Sequence, residues 1–210
     1  MTKIIPFNDH IFEYEQWFTD NEFVYKSELQ AIERLLPSEG RGIEIGIGSG
    51  LFAQPMGIVE GCDPSENMRN KAIEKGLDAI DGIAENLPYI TNNVDFILMV
   101  TTICFIDDVD KAFEEIKRIL KSNGAIIIAF IDKNSPIGRS YLENKEKSIF
   151  YKNAVFYSTE DILEILKQHN FAIEETVQTV FGNMKNITQI QMSEDGYGKG
   201  SFVVIKATKV

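Results

Sequence analysis

Apolar and polar positions along the chain follow two periods. Over residues 9–18, and again over 21–36, apolar residues recur at helical spacing, and Pro37 closes the second run. GIEIG (42–46) and GIVEGCD (57–63) read as short strands. LFAQPM (51–56) between them predicts only a short helix, because Pro55 limits it. PSENMRNKAIEK places Ser65 as a helix cap, with the helix running to about Lys75. LDAIDG (77–82) predicts a third strand, AENLPYITNN a polar turn, and VDFILMVT (94–101) a nearly unbroken apolar strand of the kind buried on both faces. In DDVDKAFEEIKRILK (107–121), Val109, Ala112, Phe113, Ile116, Ile119 and Leu120 share one helical face; SNG ends that helix and AIIIAFI (125–131) is the next strand. Residues 132–158 show no regular period. STEDILEILKQHN opens on a capping signature, and FAIEETVQTVF (171–181) and GSFVVIKATKV (200–210) alternate as strands.

Strands alternating with helices imply a parallel sheet covered on both faces. The last two strands have no helix between them and predict an antiparallel pair. The expected fold class is therefore α/β: a doubly wound, seven-stranded, mostly parallel sheet with an antiparallel last strand. Ligands in such sheets bind beyond the carboxyl ends of the strands, where the winding reverses.

Composition narrows the function classes. The 210 residues suit one domain, 44% apolar and 25% charged. Asp and Glu outnumber Lys and Arg 32 to 21, for a net charge of −11, which argues against nucleic acid or an anionic membrane as the main partner. No apolar run reaches the ~20 residues a membrane span needs, and the N-terminus lacks a signal-peptide core. Cys62 and Cys104 lack metal-type spacing and predict reduced thiols in a cytoplasmic protein. His10 and His169 form no ligand pattern, so no metal is expected. The expected state is a monomer or homodimer.

The densest chemical signal is GIEIGIGSGLFA (42–53). Gly46, Gly48 and Gly50 alternate after a strand that carries one acid, Glu44. Glycines there permit positive φ and close approach of backbone to a ligand. From Gly48, GSGLFA also fits the dinucleotide form G-x-G-x-x-A, but Asp63 comes too soon for a nicotinamide cofactor and Pro55 stunts the helix that should receive a pyrophosphate.

Read from Glu44, an acid, then G-x-G-x-G, then an acid at the end of the next strand resembles the class I S-adenosylmethionine-dependent methyltransferases, whose fold is Rossmann-like. CDPSENM, GIAENLPYITNNVDFILM and FEEIKRILKSNGAIIIAF resemble the family's following segments in order. The closest likeness is to small-molecule methyltransferases of the ubiquinone/menaquinone-biosynthesis type, and it covers roughly residues 8–170. It implies S-adenosylmethionine as cofactor, S-adenosylhomocysteine as product and a small-molecule methyl acceptor. It assigns Asp63, followed by Pro64, to the ribose, and Ile83, Ala84 and Glu85 to the adenine. Many members carry an acid where Ile83 stands, so adenine recognition here falls to backbone, Glu85 or Asp81. Met68 lies over the adenine or in ordinary core. Glu44 orients the loop, receives the α-ammonium through water, or caps local amides.

Methyl transfer from a sulfonium needs alignment and exclusion of water more than acid–base groups. Thr102 and Phe105, at the tip of the fourth strand, are with Trp17 the expected positioning residues; Thr101 beside them is expected at the cofactor, and Cys104 is a buried filler. The N-terminal stretch gathers Phe12, Tyr14, Trp17, Phe18, Phe23 and Tyr25; Tyr14 and Trp17 share a face and predict a lid, with Trp17 favoured over the methionine moiety. Residues 1–36 thus form a helical lid. Residues 132–158, with Tyr141, Phe150, Tyr151, Phe156 and Tyr157, form an acceptor-binding cap within the one domain. The alternatives are a nicotinamide-dependent oxidoreductase and a non-catalytic cofactor-binding protein.

Overall fold

The computed structural model describes residues 3–210. Its sheet has eight strands: β1 (Gly42–Ile45), β2 (Glu60–Cys62), β3 (Asp78–Ile80), β4 (Val94–Val100), β5 (Leu120–Ile131), β6 (Phe171–Phe181), β7 (Glu194–Asp195) and β8 (Gly200–Lys209). Their order is β3-β2-β1-β4-β5-β8-β6-β7. The strands from β1 to β5 pair in parallel, while β8 runs antiparallel between β5 and β6. The eighth strand, not expected from sequence, is β7, a two-residue antiparallel edge on Val177 and Gln178. Its exposed acids give it no apolar period to be read.

The helices are α1 (Ile5–Asp9), α2 (Ile11–Asp20), α3 (Glu22–Leu35), α4 (Glu66–Glu74), α5 (Val109–Ile119), α6 (Pro136–Glu143) and α7 (Thr159–Gln168). The two expected caps form, at Ser65 and at Ser158, and Asp108 supplies a third. The Ser65 side chain accepts from Met68 N–H at 3.3 Å, Asp108 accepts from Lys111 N–H at 3.1 Å, and Ser158 and Asp161 form a capping box. Four details differ. LFAQPM forms consecutive turns rather than a helix, since Pro55 lacks an N–H and Gly57 turns to φ 70°. The SNG stretch lies inside β5: the helix stops at Ile119 because Leu120 is already extended and paired with Val94, and the chain bulges before Ala125 meets Phe96. Residues 132–158 contain α6, capped by Ser135 with Pro136 at its first position. A further short helix, α1, precedes α2.

Alternate residues of each central strand feed two cores. One, with α5 and α7, takes Ile43, Ile45, Ile97, Met99, Ile126 and Ile128; the other, with α3 and the 51–57 turn, takes Leu98, Val100, Ile127, Phe202 and Val204. Glu44 points to the second face, 1% exposed among aliphatic side chains. The winding reverses between β1 and β4, so their carboxyl ends define the crevice.

Candidate functional site

The glycine loop leaves β1 with Gly46, Gly48 and Gly50 at φ 73°, 53° and 80°. The three do different jobs. A Cβ on Gly46 would lie 2.3 Å from Thr102 Oγ1, and one on Gly50 2.3 Å from Leu77 Cδ1, so both make room for protein. A Cβ on Gly48 would meet only the Tyr14 hydroxyl, at 3.7 Å; this is the glycine that opens toward unfilled space.

Asp63 follows β2 and is wired into the loop. Its Oδ2 accepts the Gly48 N–H at 3.0 Å and its Oδ1 the Ser65 N–H at 2.8 Å. Each oxygen keeps acceptor capacity. Burial pushes the Asp63 carboxyl up, partly offset by those two amides and by Arg69. Glu44 lies beside it, raised well above the usual range by burial, and its Oε2 has no partner. Pro64 is half-buried, and Met68 is fully buried on the first turn of α4. Ile83 is exposed and Ala84 buried in the turn after β3, where Ile83 bridges Asn86. Both acids expected near the adenine have a protein partner on one oxygen. Glu85 Oε1 accepts from Asp107 N–H at 2.8 Å and Asp108 N–H at 3.1 Å, and Asp81 pairs with Arg69 at 2.8 Å.

At the tip of β4, Thr101 sits at φ 47°, a strained setting for a β-branched residue, held because its N–H donates to Ala129 O at 2.8 Å. The Cys104 thiol donates to Thr101 O at 3.1 Å, and burial pushes that thiol up to about 12, away from nucleophilic use. Thr102 donates to Val100 O at 3.0 Å and walls Gly46. Phe105 stacks on Tyr151, ring centroids 5.9 Å apart.

The N-terminal helices close over this crevice. Lys3 pairs with Asp107 at 2.6 Å and donates to Phe105 O. Asn8 accepts from Ser65 Oγ at 2.7 Å, and Lys75 bridges Glu15 and Ser49 O at 2.6 and 2.8 Å. The Tyr25 hydroxyl donates to Leu51 O. Of the two aromatics Tyr14 and Trp17, Tyr14 is the one that reaches the loop, its hydroxyl facing Gly48. Its hydroxyl is pushed upward by burial and then by the charges of Glu44, Asp63 and Glu28. Trp17 packs edge-on against Phe18 at 4.9 Å, over the second core, while Phe12 and Phe23 are exposed. Residues 132–158 meet the N-terminal helices through Phe150, whose ring lies 5.3 Å from Phe7 and 5.9 Å from Tyr14. Tyr141 stacks on Tyr151 at 5.2 Å, and both line a cavity of about 20 Å³ with Thr101, Ile103, Phe156 and Tyr157. The segment is anchored at both ends. Asp132 accepts from Thr159 N–H at 2.9 Å, and Val155 N–H donates to Cys104 O at 2.8 Å.

Residues 43–128 match the methyltransferase-domain family model. An uncharacterized protein of Methanocaldococcus jannaschii is 41% identical over 204 residues, 97% of this chain and 98% of its own. A crystal structure from Thermotoga maritima, described as a SAM-dependent methyltransferase and possible histamine N-methyltransferase, is 47% identical, covers 98% of this chain and 99% of its own, and superposes with a TM-score of 0.95. The chain belongs to the S-adenosylmethionine-dependent methyltransferases. At 16% identity, a chain from a complex of the Haloferax volcanii Trm112 methyltransferase activator shares the fold alone, with a TM-score of 0.70 over 96% of each chain.

Several polar side chains of this methyltransferase were not expected from the sequence. Glu28 on α3 is 4% exposed, and burial raises its carboxyl to about 8. The signal was present: Glu28 interrupts the apolar stripe of Val24, Ala31, Ile32 and Leu35. Asn8, Lys75 and Asp132 were also passed over, because their partners lie far away in sequence. His10 and His169 pair with Glu13 and Asp110.

Proposed function

We propose that this methyltransferase transfers a methyl group to a small-molecule acceptor, with Asp63 as its ribose anchor. The observation that carries the reading is the Asp63 carboxylate, which fastens the Gly48 and Ser65 amides and keeps acceptor capacity on both oxygens. The unpartnered Glu44 oxygen and the open side of Gly48 suit an amino-acid tail carrying an ammonium. Pro64, Met68, Ile83 and Ala84 flank the place left for the adenine. Its amino group falls to backbone, to Glu85 Oε2 or to Asp81, whose other oxygens are held by Asp107 and Asp108 amides and by Arg69.

S-adenosylmethionine supplies an activated methyl on a sulfonium, and the departing thioether is neutral. The chain's own work is therefore positional. Thr101 and Thr102 fix the floor at the tip of β4, Phe105 and Tyr151 wall the acceptor side, and Tyr14 and Trp17 hold the lid that keeps water out. Residues 1–36 serve as the lid and 132–158 as the acceptor cap of a single domain. The net charge of −11 disfavours a nucleic-acid acceptor. Among the described residues no helix is long and apolar enough to cross a membrane, and with both cysteines free and buried a cytoplasmic setting fits.

Thermal unfolding with and without S-adenosylhomocysteine tests the reading. A saturable rise in Tm is expected, with none from NADH; no rise at millimolar S-adenosylhomocysteine overturns it.

A further inference from the structure

We propose that Asn8 is a positioning residue for the cofactor: it holds Ser65, and through Ser65 the ribose anchor Asp63, while α1 lies across the crevice. Cofactor exchange is thereby coupled to the lifting of that helix. This rests on the methyltransferase reading above and deepens it. The helix α1 is five residues long, has no side-chain cap and buries none of its residues. A helix that short has little stability of its own, so its place is set by what its two ends grip. They grip opposite sides of the crevice. Beyond β4, Lys3 Nζ donates to Phe105 O at 3.3 Å and to Ile106 O at 3.4 Å, and pairs with Asp107 at 2.6 Å. Beyond β2, Asn8 Oδ1 accepts the Ser65 hydroxyl at 2.7 Å and the Asn67 N–H at 3.3 Å, and Asn8 O accepts from Asn67 Nδ2 at 3.0 Å. Between these ends Phe7 stands edge-on to Phe105, ring centroids 5.1 Å apart.

Ser65 is the relay. It is 1% exposed, and its Oγ accepts the Met68 N–H at 3.3 Å while donating to Asn8. Its own N–H donates to Asp63 Oδ1 at 2.8 Å, and Asp63 Oδ2 accepts the Gly48 N–H at 3.0 Å. Hydrogen bonds therefore run unbroken from α1 to the glycine loop, through Asn8, Ser65, Asp63 and Gly48. A hydroxyl has one proton to give, and this one goes to Asn8. Without Asn8 a buried donor loses its acceptor, and the turn that aims Asp63 loses its outer support. The bonds that Asn8 makes are only half-buried, so α1 lifts at lower cost than the sheet beneath it opens. The nucleoside passes while α1 is raised, and the relay closes again over the ribose.

The full chain is titrated by calorimetry with S-adenosylhomocysteine and with its 2′-deoxy analogue, and release of labelled S-adenosylhomocysteine is timed against an unlabelled chase. The parent is expected to prefer the ribose compound by about tenfold or more. Asn8→Ala is expected to cut that preference to about threefold or less and to speed release by about tenfold. Asn8→Asp, whose carboxylate accepts the same two bonds beside the N-terminus of α4, is expected to keep the preference and the release rate of the parent. Because Asn8 acts through Ser65, Asn8→Ala added to Ser65→Ala is expected to lose nothing further. A change that merely loosens the fold lowers the affinity for both compounds alike and leaves their ratio untouched. An unchanged preference or release rate in Asn8→Ala, or additive losses in the double variant, overturns the proposal. A parent that binds both compounds equally overturns the Asp63 assignment beneath it, and one that binds neither overturns the cofactor reading itself.

Discussion

The two ends of the sheet treat their acids in opposite ways. At the amino end, Asp95 accepts the Arg41 N–H at 2.9 Å and pairs with Lys121 at 2.8 Å, and Glu60 holds Arg41 through both oxygens. Both carboxyls are held below their ordinary range, Asp95 first by Lys121 and Glu60 first by Arg41. Toward the carboxyl end, Glu44, Asp63 and, on α3, Glu28 are raised, in each case chiefly by burial. The first arrangement is complete in the chain alone. The second spends stability to keep polar capacity inside the protein, which is the mark of a site that a ligand finishes.

Substitutions can break that contrast, and the glycine loop should show the largest effect. Gly46→Ala is expected to cost about 4 kcal/mol of stability, because its Cβ meets Thr102 at a φ of 73°. Gly48→Ala, facing only Tyr14, should cost about 1 kcal/mol and act mainly on S-adenosylhomocysteine affinity. Denaturant unfolding of both variants decides; equal losses would remove the distinction between a glycine kept for packing and one kept for a ligand.

Next in size is a pH effect. Glu28 holds its proton to about pH 8, so folding takes one up. Its stabilising share is whole below the unfolded pKa of ~4.3 and is lost as pH rises through 8. Glu28→Gln should therefore overtake the parent in stability by on the order of 3 kcal/mol at pH 8, with little difference at pH 4.5. Unfolding curves that stay parallel across this window would place a hidden cation beside Glu28. Asp63→Ala should weaken S-adenosylhomocysteine binding by at least ~1.5 kcal/mol in calorimetry, the low end for a charged hydrogen bond. The smallest effect belongs to the opposite end of the sheet. Lys121→Met removes a half-exposed ion pair and should cost roughly 0.5 kcal/mol, with ligand affinity unchanged.

The order of strands and helices was legible because each long element carries its own period, as in the apolar run of β4 or the one-sided stripe of α5. The misses have local causes too. LFAQPM has helical composition but lacks one amide, and α6 is only eight residues long inside a stretch whose aromatics blur any period. The site was half legible. GIEIGIGSG and CDPSENM announced a backbone cradle and an acid, and the structure joins them through the Gly48 N–H and Asp63.

The sequence by itself determined that a glycine turn would follow a buried strand at the reversal of a parallel sheet, since periodicity and glycine content are properties of neighbouring residues. Only the tertiary structure decided that Gly46 and Gly50 yield to Thr102 and Leu77 while Gly48 faces open space, that Tyr14 and not Trp17 stands over it, and that Glu28 is buried on α3. Those outcomes depend on which side chains meet across long sequence separations. A carboxylate is paired or orphaned by contacts that no local pattern encodes.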